Sequence, residues 1–217
     1  MSPGRRYAVI SWAKAYGIPI IEDDFESIVD PPLAGLRSLK SLDTRGVCTY
    51  IADLSRALMA GVAISYAIAP ASIVEAAGRL VPSALPPVGE QLALAAFLRG
   101  NEFSRQIGRM RAVYTERREV LQHELRKQLG GAIISIERRG PLQVLVRLAD
   151  DVRDVAVAEA AASLRLEVVP LSAVMPNEDG LILGYGGTSP DRLPLAVASL
   201  AEAFAAARER LAGHAAV

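Results

Sequence analysis

Residues 50–66, YIADLSRALMAGVAISY, read as a strand, a polar turn and a second strand. Their flanks extend the pattern to VCTYIAD (47–53) and VAISYAIAP (62–70). Both are continuous apolar runs, where a strand with one wet face would alternate. Continuous runs suit strands of a parallel or mixed sheet covered on both faces. The turn between them carries Asp53, Ser55 and Arg56 at the C-terminal end of a strand, where open α/β sheets place their ligands. The tripeptide LSR has no chemical specificity of its own. The stretch is therefore an active loop, the remains of one, or an ordinary connection.

Upstream, IPIIEDDFES (18–27) is an apolar run followed by carboxylates, the pattern of a buried strand that ends in a polar loop. Such a cluster can bind a metal, supply an acid and a base, pair with a cationic ligand, or simply be solvated. Before it, Tyr7, Val9, Ile10, Trp12 and Ala13 predict an amphipathic helix over 3–16, ended by Gly17. Residues 30–46 form a Pro/Gly-rich connection. Downstream, helices are predicted over 70–81, opened by Pro70, and over 86–100, ended by Gly100. A longer one follows from Asn101 to the Gly130–Gly131 stop, with one apolar stripe from Phe103 to Leu129. Its arginine-rich opposite face, interspersed with Glu116, Glu119 and Glu124, reads as a solvated, salt-bridged surface and not a nucleic-acid patch.

After Gly131 the texture changes. Two strands around a Gly-Pro turn (132–150), a helix (154–165), strands at 166–171 and 180–187 and a final helix (189–213) predict a small sheet covered by two helices. GYGGTSP is glycine-rich but lacks the spacing of a phosphate-binding loop, so it reads as a strand-to-helix turn. The domain boundary is expected inside the long helix, giving regions 1–104 and 105–217.

Composition narrows the function. The 217 residues are 51% hydrophobic, enough for a sizeable core, and Lys+Arg balance Asp+Glu at 24 each, so no global field draws nucleic acid or an anionic membrane. Cys48 is the only cysteine, which excludes an internal disulfide and reads as a small buried hydrophobe. His123 and His214 are not in metal-ligand spacing. No signal peptide is legible, and no window approaches the ~20 apolar residues of a membrane span. A soluble, cytoplasmic protein is expected, with no metal.

Taken in order, RRYAVISWAKAYGIPIIEDDFES, YIADLSRALMAGVAISYAIAP, LPPVGEQLALAAFLRGNEFSRQIGRMRAVYTERREVL, VVPLSA and LILGYGG resemble the aminotransferase-like half of MocR-type regulators in the GntR superfamily. Those proteins join a winged-helix DNA-binding domain to a fold-type-I domain of the class I/II aminotransferase kind, which binds pyridoxal 5'-phosphate (PLP). The resemblance implies an α/β fold: the C-terminal part of a fold-type-I large domain, followed by a small α+β domain. It also implies that the phosphate loop, ring-stacking aromatic and winged helix of the family lie outside these residues, so that the chain is N-terminally truncated relative to the family. No DNA-binding domain is legible.

The resemblance assigns cofactor positions to Asp23, Phe25, Asp53, Ser55, Arg56 and Ala63. Asp23 stands where the family's aspartate pairs with the protonated pyridine nitrogen. Phe25 stands where a tyrosine bonds the ring hydroxyl, and has no hydroxyl to donate. Asp53 replaces a hydroxyl residue near the phosphate, a like-charge contact. Arg56 occupies the place of the Schiff-base lysine and cannot form an imine in its manner. Ala63 replaces the arginine that clamps the phosphate. The three lysines, Lys14, Lys40 and Lys127, all lie elsewhere in the sequence. The family's substrate-carboxylate arginine has no counterpart in GLILGYGG. The expectation is a catalytically inactive regulator domain, with no catalytic residue of its own and PLP binding in doubt. It is expected to pair as a homodimer or with a related chain, and to answer at most to a small effector. The alternatives are a PLP-dependent aminotransferase acting on an amino acid, and a non-catalytic dimerisation module.

Overall fold

The computed structural model describes residues 1–24, 27–29, 37–54, 58, 64–80, 86–139, 142–149 and 152–215, with side chains to 211. The chain divides into two compact units, Met1–Met110 and Arg111–Val217.

In the first unit, helix α1 spans Pro3–Tyr16. Ser2 caps it by accepting the Arg5 N–H, and Gly17, at φ 65°, closes it through a hydrogen bond from its N–H to the Ala13 carbonyl. Only Ile10 and Ala13 of α1 are buried, whereas Tyr7 and Trp12 are 57% and 51% exposed. The buried stripe is thus narrower than the apolar pattern predicted. Strands β1 (Ile20–Asp24) and β2 (Cys48–Asp53) pair in parallel, and β3 (Ser65–Ile68) joins β2 antiparallel. A four-residue helix, α2 (Leu39–Leu42), lies in the connection expected to be irregular, capped by Ser38. Ile10, Leu39 and Cys48 form a small core with Ile20, Leu42 and Val47.

The sheet is mixed, but the described residues of this unit do not provide the expected cover on both faces. Ile21 is 70% exposed and β3 is exposed throughout. Helices α3 (Ala71–Leu80) and α4 (Val88–Arg99) bury none of their residues. A continuous apolar run reports that a strand is fit for burial; it does not report which layer covers it. Helix α5 runs from Asn101 to Leu129.

In the second unit, β4 (Ile133–Arg138), β5 (Gln143–Leu148), β6 (Val169–Pro170) and β7 (Gly180–Gly184) form an antiparallel sheet in the order β4-β5-β7-β6. Val144 lies opposite Leu183 and Val146 opposite Leu181, so all four share one face. That face is buried with Leu121, Leu125 and Leu129 of α5, Val157 and Ala161 of helix α6 (Asp154–Ser163), and Val197, Leu200 and Phe204 of helix α7 (Leu193–Ala215). Each such aliphatic side chain contributes roughly 1.5–3 kcal/mol on burial. The C-terminal part of α5 therefore joins the two predicted helices in the core. Leu145 and Ile182, one residue out of phase, pack on Leu171 on the other face. Glu124, expected on the solvated side of α5, is buried and accepts a 2.7 Å hydrogen bond from Gln128 Nε2.

The strand predicted over 166–171 shrinks to Val169–Pro170 and a 3₁₀ turn at Leu171–Ala173. Pro170 has no N–H for a ladder, and the next polar groups are diverted to Asp154. That fully buried carboxylate accepts the Ser172 N–H (2.8 Å), the Ser172 hydroxyl (2.8 Å) and the Gly180 N–H (3.3 Å). Burial pushes its pKa up, but these hydrogen bonds outweigh it and hold the carboxyl below the usual 3.8.

Candidate functional site

The C-terminal ends of β1 and β2 bring together the sequence-predicted site residues that the structure describes. Alternation along β1 separates its three carboxylates. Glu22 and Asp24 share one face, and Asp23 lies on the other. Glu22 accepts the backbone N–H groups of Leu39 (2.8 Å) and Lys40 (2.9 Å), holding the start of α2. Asp24 accepts the Ser27 N–H (2.9 Å) and the Tyr50 hydroxyl (2.9 Å). Burial and that hydrogen bond push the Tyr50 hydroxyl pKa up. Two of the three acids are thus structural. Asp23 is exposed and makes no hydrogen bond or ion pair with any described residue.

The register places Asp23 opposite Ile51, so Asp53, two residues on, shares its face one step further along the sheet. Asp53 accepts a hydrogen bond from the Ser65 hydroxyl at 3.2 Å, across the antiparallel pair of β2 and β3. The open face thus carries two carboxylates on adjacent strands. Phe25, Ser55, Arg56 and Ala63 lie outside the described residues.

A cleft of about 630 Å³ opens at the end of β1, chiefly on the Glu22 and Asp24 face; Arg6, Glu22, Asp24, Lys40, Ser41 and Tyr50 line it, and Asp23 also reaches it. Lys40 donates from Nζ to the Cys48 carbonyl at 2.8 Å, and Arg6 donates from Nη1 to the Arg37 carbonyl at 2.7 Å. Tyr50 and Ser65 carry no motif in the sequence, and Lys40 is read there only as lying away from the Schiff-base position. Tyr50 and Ser65 sit in apolar runs, where the strand period alone could have flagged them. The placement of Lys40 needs the 18-residue return from Glu22. Cys48 is buried, and burial pushes its thiol up to about 11, so it is not poised as a nucleophile. Among the described residues, no three His, Cys, Asp or Glu side chains are grouped to hold a metal ion, and no helix is long and apolar enough to cross a membrane.

No protein-family model matches the chain. Among solved structures, the multiple substrate aminotransferase of Thermococcus profundus aligns with 97% of the chain and 53% of its own length, at a TM-score of 0.80 and 18% identity. The kynurenine aminotransferase of Pyrococcus horikoshii, crystallised with PMP, aligns with 94% and 52% at 0.79 and 20%. The fold is therefore that of the fold-type-I, PLP-dependent aminotransferases. Among curated relatives, the chain is 28% identical to the HTH-type regulator YhdI of Bacillus subtilis over 94% of its length. It is 31% identical to the pyridoxine biosynthesis regulator PdxR of Corynebacterium glutamicum over 92%. The probable rhizopine catabolism regulator MocR of Rhizobium meliloti matches 86% at 27%. The chain is an aminotransferase-like domain homologous to the MocR/GntR-type regulators. It spans less than half the length of these relatives, 45%, 44% and 39% respectively.

Proposed function

We propose that this chain is a regulatory aminotransferase-like domain without transaminase chemistry. The observation that carries the reading is the commitment of its amines. Arg56 stands in the sequence position where the resemblance calls for an imine-forming lysine. Lys40, the one lysine lining the cleft at the end of β1, has its Nζ bonded to the Cys48 carbonyl.

The described residues fit PLP in one respect only. Asp23, exposed and without a partner for its carboxylate among the described residues, suits a protonated ring nitrogen. Asp53 brings a carboxylate, bonded to Ser65, to the side where the resemblance puts the phosphate, and like charges there cost free energy. This is not a set that anchors the cofactor covalently and grips its phosphate, so no reaction step is assigned to it. The domain would act by binding a small effector, or by pairing.

The test is to mix the chain with PLP, record the visible spectrum, reduce with borohydride and map adducts by mass spectrometry. The expected outcome is no aldimine band and no stoichiometric lysine adduct. A single lysine labelled to one equivalent would sink the reading.

A second reading, pairing with another copy or a related chain, is favoured by α3 and α4. Val74, Leu80, Val88 and Leu92 on these helices are all exposed and none of their residues is buried. It is tested by sedimentation equilibrium on the chain and on a Leu80→Glu, Leu92→Glu double variant. A monomer at high micromolar concentration would exclude a homodimer.

A further inference from the structure

Arg117 is a charged side chain whose surroundings do not balance it. It sits on α5, one helical turn beyond Tyr114, and its guanidinium carbon lies 5.8 Å from the centroid of that ring. Its Nη1 donates to the Gly186 carbonyl, just past the end of β7. Its Nε is buried and has no hydrogen-bond partner. No described carboxylate forms an ion pair with it, in contrast to Arg147, which pairs with Glu137 and Glu178, and Arg153, which pairs with Asp179.

Arginine does not shed its proton in proteins. A half-buried guanidinium served by one carbonyl and one aromatic face therefore keeps a full positive charge with no counter-charge beside it among the described residues, an arrangement that costs free energy unless an anion completes it. The turn it touches is built to let one approach. Gly184 and Gly187 are exposed, and a side chain added at Gly187 would meet no atom within 4 Å. The opposite side of the turn is closed, since a Cβ at Gly186 would lie 3.2 Å from Leu142.

We propose that Arg117, at the glycine turn after β7, is the anchor of a small-oxyanion site, taking the carboxylate or phosphate group of a small molecule through Nη2, the terminal guanidinium nitrogen that is not bonded to Gly186. The site does not depend on the reading of the β1–β2 face given above. A purely structural role, in which Arg117 only ties the turn to α5, predicts a loss of stability on mutation but no anion response.

The experiment uses the full chain, labelled for NMR. The amide signals of Gly186 and Gly187 and the Arg117 Nε–H signal are followed while sodium acetate, or inorganic phosphate, replaces chloride at constant ionic strength. Saturable shifts in one or both series are expected, with acetate alone pointing to carboxylates and phosphate alone to phosphate esters. Arg117→Lys keeps the charge but loses the planar fork, and should weaken saturation about tenfold. Arg117→Met, which keeps the apolar stem, should abolish it. Flat or merely linear shifts in the unaltered protein overturn the proposal, as does undiminished saturation in Arg117→Met. If Arg117→Met does not fold, the unaltered protein and Arg117→Lys decide the matter alone.

Discussion

Replacing Asp154 by alanine should remove the tie that holds the second unit's sheet to helix α6. The carboxylate is fully buried and serves three donors: the Ser172 N–H, the Ser172 hydroxyl and the Gly180 N–H. Alanine leaves two backbone N–H groups without their acceptor, and each such loss costs about 1–3 kcal/mol. The relief from no longer burying a charge offsets part of this, so a net loss of about 3 kcal/mol is expected. Asp154→Asn keeps an acceptor of the same shape and should lose about half as much. The assay is urea unfolding followed by circular dichroism, with hydrogen exchange of the β5 and β7 amides to assign the loss to the second unit. The pH dependence gives an independent check. The folded pKa of Asp154 lies below its ordinary 3.8. Its contribution is therefore complete above the unfolded value and disappears as pH falls through the folded one. The gap between the unaltered protein and Asp154→Asn should stay constant near neutrality and close in strong acid. A loss under 1 kcal/mol for Asp154→Ala, or a gap that widens on acidification, would refute the reasoning.

Three further outcomes are expected. Gly180→Ala would put a Cβ 2.8 Å from the Val146 carbonyl and 3.1 Å from Leu171, so it should destabilise by about 1–3 kcal/mol, read from the same urea melts. Cys48, buried and with its thiol pushed up to about 11, should resist thiol reagents at neutral pH in the folded chain and react only as the chain unfolds, so that its labelling rate tracks denaturant. Arg56→Lys should not produce an aldimine band with PLP, because Asp53 and Ala63 remain; a band in the single variant would show that the amine was all that the site lacked.

The order of elements was legible because hydrophobic period and punctuation are local. Gly17 ends α1, Gly100 and Gly130 bracket α5, and the runs at 47–53 and 180–187 contain β2 and β7. The family likeness was legible too, because it rests on motifs spread in order along almost the whole chain. The burst EDD marked the end of β1 but not the roles of its members. Three adjacent carboxylates look alike in sequence, and only the pleat, the return of α2 onto Glu22 and the Tyr50 hydroxyl on Asp24 leave Asp23 as the exposed one.

The tertiary structure likewise decided features that no window of sequence contains. Glu124 belongs to a charged helix face by period, yet the packing of α5 in the second unit buries it. Asp154 looks like any first-turn acid until a segment 18 residues on brings Ser172 to it. Arg117 is one arginine among many on α5 until β7 ends beneath it. By itself, the sequence determined the order of the main strands and helices and which chemical groups stand at the end of β1 and in the loop after β2. Tertiary structure decided which of those groups are paired, covered or open, because pairing and burial are set by contacts between residues far apart in the chain.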